Sequence, residues 1–215
     1  MVFAHGLDGG PWSSWGAFPA RVAQAVPSLD VLTLSWPSKL GQFLTETDHT
    51  VPAIIEALVP VLRAELASYR RCILVLHCLG GLVMLGALHR LAKTGTDLVQ
   101  QVGGVLLLDA PLLAPGPDAP AWIHRGMAAM GLEAAAMAAL VEWVRAACPT
   151  GVVALRGTEA GWVEWCHPFA LTPPKRSHRI TASHTGLATA PAEGAFQPLE
   201  MALELALRSV TAGEF

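Results

Sequence analysis

Three short stretches carry residue types suited to nucleophilic chemistry in series. His77-Cys78-Leu79-Gly80-Gly81 closes the apolar run Cys72-Ile73-Leu74-Val75-Leu76 and opens an apolar helical pattern. A side chain at such a strand-to-helix turn is held clear of the sheet, with a helix amino terminus behind it that favours an anion. Cys78 is therefore the candidate nucleophile, a thiolate able to attack a carbonyl carbon. Ile180-Thr181-Ala182-Ser183-His184-Thr185-Gly186-Leu187 sets a histidine just past a late strand. There His184 would take up the nucleophile's proton and return it to the leaving group. Val2-Phe3-Ala4-His5-Gly6-Leu7-Asp8-Gly9-Gly10 is a short strand followed by a His-Gly turn, a form that lends a backbone N–H to a developing oxyanion. The N–H groups of Leu7 and Leu79 are the candidate donors, one after that turn and one after the nucleophile. The chemistry indicated is acyl transfer.

These positions need a frame. Periodicity and breakers predict strands at 1–4, 30–35, 71–77, 102–108, 151–155 and 178–182. Helical patterns lie between them at 15–26, 50–68, 80–93 and 133–147, with a last helix at 195–210. Strand and helix alternate, which implies right-handed βαβ units and an open, mostly parallel α/β sheet of about six strands with helices on both faces. Ligands bind such sheets beyond the carboxyl ends of the strands. His5, Cys78, Asp109, Glu159 and His184 all follow a proposed strand directly or within a few residues.

Composition narrows the classes. The 215 residues fit one domain, 1–215, and show no second composition block. With 53% hydrophobic and 14% charged residues, the chain suits a sheet covered on both faces. No run of 18 apolar residues passes without Gly, Pro or charge, so no membrane span is expected. A net charge of −3 without a basic stripe argues against a nucleic-acid partner. Cysteines at 72, 78, 148 and 166 form no Cys-x-x-Cys pair, and no targeting segment precedes the first strand; a cytoplasmic setting is the expectation. His77-Cys78 and Cys166-His167 are adjacent pairs without the spacing of a zinc site, and the reading assigns neither metal nor organic cofactor.

The chain resembles the α/β-hydrolase superfamily, within it the small lipases and esterases with little or no lid. His5-Gly6 is similar to the family's oxyanion turn, His77-Cys78-Leu79-Gly80-Gly81 to its H-S-L-G-G elbow, and His184-Thr185-Gly186-Leu187 to its terminal histidine turn. Two positions depart from that pattern: Cys78 replaces the usual serine and Leu76 the usual glycine. Dienelactone hydrolases and polyhydroxyalkanoate synthases, which share the fold, use a cysteine in the elbow. An engineered Ser-to-Cys exchange, made to hold an acyl intermediate, would leave the same sequence. The resemblance implies the α/β-hydrolase fold without the family's first two strands.

The resemblance also implies an orienting acid. Glu159, after Gly151-Val-Val-Ala-Leu155 and 25 residues before His184, occupies the family's acid position and is preferred. Asp109, after the preceding strand, is the alternative used by some members; its other role is a turn cap before Ala110-Pro111. Residues 112–130, rich in Pro, Gly and Ala, sit where the family places its lid and predict a short flap or a packed connecting helix. Trp12, Trp122 and Trp162 are candidates to line an acyl pocket. The expected activity is hydrolysis of a hydrophobic ester or thioester of a small-molecule acyl substrate through an acyl-Cys78 intermediate. Acyltransferase, cyclase or lactone hydrolase activity is the alternative, and a non-catalytic ligand-binding relative a further one.

Overall fold

The computed structural model describes residues 1–45, 50–112, 114–147, 151–159 and 176–211. Its elements are β1 (Val2–Ala4), α1 (Phe18–Ala25), β2 (Leu32–Leu34), α2 (Leu40–Thr45), α3 (Val51–Leu66), β3 (Cys72–His77), α4 (Leu79–Lys93), β4 (Val102–Leu108), α5 (Ala121–Ala129), α6 (Ala134–Ala147), β5 (Val152–Gly157), β6 (Ser177–Ile180) and α7 (Gln197–Thr211). A 3-10 turn, Asp97–Gln101, leads into β4. The six strands form one sheet in the order β2-β1-β3-β4-β5-β6, and every pairing is parallel. The expected α/β architecture is therefore present. Among the described residues no single helix is long and apolar enough to cross a membrane.

The strands read as continuous apolar runs because both faces are covered. Their two-residue period divides them between two cores. Val2, Ala4, Leu74, Leu76, Val105 and Leu107 face one core, built with α3, α4 and α6. Phe3, Ile73, Val75, Leu106 and Leu108 face the other, built with α1 and α7. Helix α3 presents Val51, Ile54, Leu58, Leu62 and Leu66 as a single buried stripe and begins at Thr50, whose hydroxyl accepts the N–H of Ala53. Helix α4 is buried almost throughout from Leu79 to Leu88, so it reads as apolar on every side.

From β1 the sheet grows in opposite directions, to β2 on one side and β3 on the other. The helices that follow β1 and β3 pack on opposite faces, α1 in one core and α4 in the other. The crevice beyond the carboxyl ends of β1 and β3 lies at this reversal, where open α/β sheets bind ligands. The turns His5-Gly6-Leu7 and Cys78-Leu79 open into it.

Predicted and observed elements differ mainly at ends. Strand 30–35 shortens to β2, and strand 178–182 shifts to β6. Segment 112–130 contains a true helix, α5, which buries Ile123 and Met127.

Candidate active site

Cys78 caps α4 at φ 52°, ψ −127°, in the left-handed half of backbone space that a side chain rarely occupies. Asp8 and Asp109, with φ 54° and 45°, are the other non-glycine residues with positive φ among those described. All three follow a strand at the same edge of the sheet. The Cys78 turn is pinned on both sides: its N–H donates to the carbonyl of Leu108 at 3.0 Å, and its carbonyl accepts from the N–H of Gly81 at 3.0 Å.

Two glycines permit the approach of β1 to this turn. A Cβ on Gly80 would stand 2.1 Å from the Ala4 carbonyl oxygen, and one on Gly6 would stand 2.5 Å from the Cys78 Cβ. The backbone leading into Leu7 therefore crosses directly beside Cys78. Among the described residues no acceptor takes the N–H of either Leu7 or Leu79. Both residues border the cavity into which Cys78 opens.

The carboxylate against His184 belongs to Asp109. Its Oδ2 lies 3.2 Å from His184 Nδ1, and its Oδ1 accepts the N–H of Gly157 at 3.0 Å. Asp109 is wholly buried and the His184 side chain is 21% exposed. A carboxylate accepts only, so Nδ1 carries the proton and Nε2 is the ring nitrogen that can accept from Cys78. His184 also hydrogen-bonds the Cys78 side chain. Burial opposes charge on this ring, but the hydrogen bonds to Asp109 and Cys78 and their negative charges outweigh it and raise His184 to about 9.

Glu159, the preferred acid from sequence, lies elsewhere. It is exposed, and its N–H donates to the Ala182 carbonyl at 3.3 Å. Asp109, the alternative acid, is the carboxylate held against the ring, by its left-handed turn and the adjacent Gly157 N–H.

The remaining aromatic and histidine candidates sort by burial. His5 is buried, donates from Nδ1 to the Gly6 carbonyl at 2.9 Å and stacks on Trp36 with centroids 4.3 Å apart. Its part is to hold the turn, with burial lowering its basicity. Trp12 is 66% exposed and does not border the cavity, whereas Trp122, 56% exposed, stands at the cavity rim on α5. Trp162 lies outside the described residues.

Sequence reasoning gave His77 no part in the site. Its ring is fully buried, 4.5 Å from the His184 ring, with Nε2 3.0 Å from the His184 carbonyl oxygen. Because a carbonyl only accepts, Nε2 carries the proton. Burial, with the neighbouring His184, lowers His77 to about 3 and keeps it neutral. A histidine immediately before the elbow cysteine was the available signal.

The cavity above Cys78 measures about 860 Å³ and is walled chiefly by apolar side chains, among them Leu79, Leu82, Pro111, Ile123 and Met127. Arg125 and Asp8 are its charged members besides the candidate histidine. Among the described residues no group of three His, Cys, Asp or Glu side chains is placed to hold a metal ion. A thiol, an imidazole and a carboxylate in series beside two cavity-lining residues whose amides have no acceptor among the described residues are suited to forming and cleaving acyl bonds.

A model of an alpha/beta hydrolase family matches residues 1–206. Among solved structures, tomato methylketone synthase I complexed with beta-ketoheptanoate is 15% identical, with TM-score 0.56 and 97% of each chain covered. An extracellular alpha/beta-hydrolase from a Paenibacillus species is 13% identical, with TM-score 0.55 and 97% of each chain covered. A lipase from Bacillus licheniformis is 16% identical, with TM-score 0.50, covering 86% of this chain and 84% of that one. No curated protein matches the sequence.

Proposed function

Since the chain belongs to the alpha/beta hydrolase family, we propose that it is an acyl hydrolase of hydrophobic carboxylic esters or thioesters, acting through an acyl-Cys78 intermediate. One observation carries this reading: His184 is hydrogen-bonded both to Asp109 and to Cys78 at the floor of an apolar cavity. Cys78 is the nucleophile, His184 the acid and base, and Asp109 the residue that fixes the ring. Leu7 and Leu79 supply the oxyanion donors, and α5, within segment 112–130, is the flap over the acyl group.

His184, whose proton affinity is raised to about 9, takes the proton of the Cys78 thiol and readies Sγ for attack. The Sγ lone pair attacks the substrate carbonyl carbon, and the π pair moves onto oxygen between the two amides. Collapse breaks the bond to the leaving alkoxide or thiolate, which takes the His184 proton and departs as alcohol or thiol. Neutral His184 then removes a proton from water, whose oxygen attacks the thioester. Collapse releases the carboxylic acid and restores the thiolate and the imidazolium. Two features support cysteine in this role. A thiol ionises with imidazole alone as its partner, and Cys72 and Cys78 are both free thiols, which fits the proposed reducing, cytoplasmic setting.

Brief exposure to p-nitrophenyl butyrate, followed by intact mass and peptide mapping, tests the proposal. An added butyryl group on Cys78 that decays with release of butyrate is the expected result. Absence of any adduct on Cys78 with butyrate or octanoate esters overturns it. Butyryl amide accumulating in place of butyrate when glycinamide is added would assign acyl transfer instead.

A further inference from the structure

A second cavity of about 190 Å³ lies between α3, α4 and α6, behind the one that holds Cys78. The two share Leu82 and Leu132 as lining residues, so these side chains form the partition between them. Both cavities follow one stripe of α4: Cys78, Leu82 and Gly86 recur at four-residue spacing, and Arg90 and Lys93 continue it. At the rise of an α-helix, Leu82 stands about 6 Å and Gly86 about 12 Å along the axis from Cys78.

The partition has one fixed and one loop-borne side. Leu82 is 2% exposed within the core cluster. Leu132 belongs to the turn between α5 and α6, whose backbone is tied down twice: the Val51 N–H donates to the Met130 carbonyl at 2.9 Å, and the Leu132 N–H donates to the Met127 carbonyl at 2.9 Å. Beyond it the second cavity offers Ile55, Gly86, Met137 and Leu140. An apolar chain leaving Cys78 along α4 therefore meets a leucine pair after one turn of helix and finds more apolar wall behind it.

We propose that the two cavities are one channel for a long, unbranched acyl chain, and that Leu132 sets the length of chain it admits. The orientation of the chain, carboxyl end at Cys78, rests on the acyl-enzyme reading above. Octanoate-length chains end near the partition, whereas palmitate-length chains must pass it. Losing two buried methylenes amounts to about tenfold or somewhat more in affinity.

Binding of octanoate and palmitate, measured by calorimetry on the full chain, tests this without turnover. The wild type should bind palmitate more tightly than octanoate. In Leu132→Trp, and in Ala136→Trp at an exposed position bordering the second cavity, the palmitate-to-octanoate affinity ratio should fall about tenfold or more. A ratio unchanged in both variants, an equal loss for both acids, or no binding of palmitate by the wild type overturns the channel. Mass analysis of the same samples with p-nitrophenyl octanoate separates the two readings. Length-dependent binding without an adduct on Cys78 upholds the channel and overturns the acyl-enzyme, and an adduct without length dependence does the reverse.

Discussion

His77 and His184 are joined through the backbone: the Nε2 of His77 lies 3.0 Å from the carbonyl oxygen of His184, and the rings stand 4.5 Å apart. Trp15 meets the His77 ring edge-on at 6.3 Å, so the imidazole has little freedom to leave this position. His77 thus ties the loop carrying His184 to the strand that leads into Cys78. We expect His77→Leu to lower kcat by about tenfold or more, because the loop carrying His184 loses its tether and the ring its alignment, with a smaller effect on KM. His77→Gln, which restores an N–H donor, should recover part of the rate. Steady-state kinetics of the two variants check this, and equal loss in both would mean that only the ring's packing matters.

His77 also gives the fold a direction in pH. Its proton affinity is ordinary when unfolded, near 6.5, and lowered to about 3 when folded. The unfolded chain therefore binds more protons as pH falls below 6.5, and the stabilisation is lost progressively toward pH 3. In urea titrations between pH 7 and 4, His77→Gln should lose less stability on acidification than the wild type. An identical pH dependence would mean that this ring protonates freely in the fold.

Asp109 and Glu159 offer a direct comparison. Asp109 is wholly buried against His184, while Glu159 is exposed. Asp109→Asn should reduce kcat/KM by about 10- to 100-fold, the 1.5–3 kcal/mol of a hydrogen bond to a charged group. Glu159→Gln should remain within about twofold of wild type, as expected for a surface substitution. Kinetics with one ester substrate checks both, and a greater loss from Glu159 would reverse the assignment.

Much of this was legible in the sequence, and the reasons are physical. Cys72–His77 and Val102–Leu108 read as strands because burial on both faces removes any need for polar alternation. The elbow was visible because close backbone contact leaves glycine as the residue that fits at Gly80. Which of Asp109 and Glu159 lies against His184 was not legible, since both follow strand ends; that contact depends on a left-handed turn and a Gly157 amide that no local pattern announces. The α5 helix was ambiguous because its Pro- and Gly-rich flanks resemble loop, and its stability comes from burying Ile123 and Met127. His77 was passed over for a similar reason: its partner is a carbonyl 107 residues away.

The raised proton affinity of His184 predicts the alkaline limb of the rate, if this ring is the acid of the acylation step. At neutral pH the ring is protonated, and as pH rises through about 9 it loses the proton that the leaving group needs. Acylation should therefore decline above that value. Asp109 helps to raise it, so Asp109→Asn should move the decline to lower pH. The folding contribution has the same sense: His184 stabilises the native state fully below its unfolded value near 6.5 and loses that contribution as pH passes about 9. Acylation rates with ethyl butyrate, whose alkoxide cannot depart without a proton, measured from pH 6 to 10 check the first statement, and a rate that climbs through pH 9 would contradict it.

Gly6 tests the oxyanion assignment without touching a reacting side chain. Its would-be Cβ stands 2.5 Å from the Cys78 Cβ and 3.2 Å from Sγ, so alanine must push the turn away from the nucleophile and carry the Leu7 amide with it. Loss of one well-aimed oxyanion donor costs about 10²- to 10³-fold in kcat in enzymes of this kind. Gly6→Ala should therefore show a fall in kcat toward that size. Thiol alkylation at Cys78 should change much less, because an alkylating agent generates no oxyanion for the amide to receive. Measuring ester turnover and iodoacetamide reactivity on the same preparation separates the two effects. A parallel loss in both would locate the damage at the cysteine itself, and retained turnover would remove Leu7 from the oxyanion site.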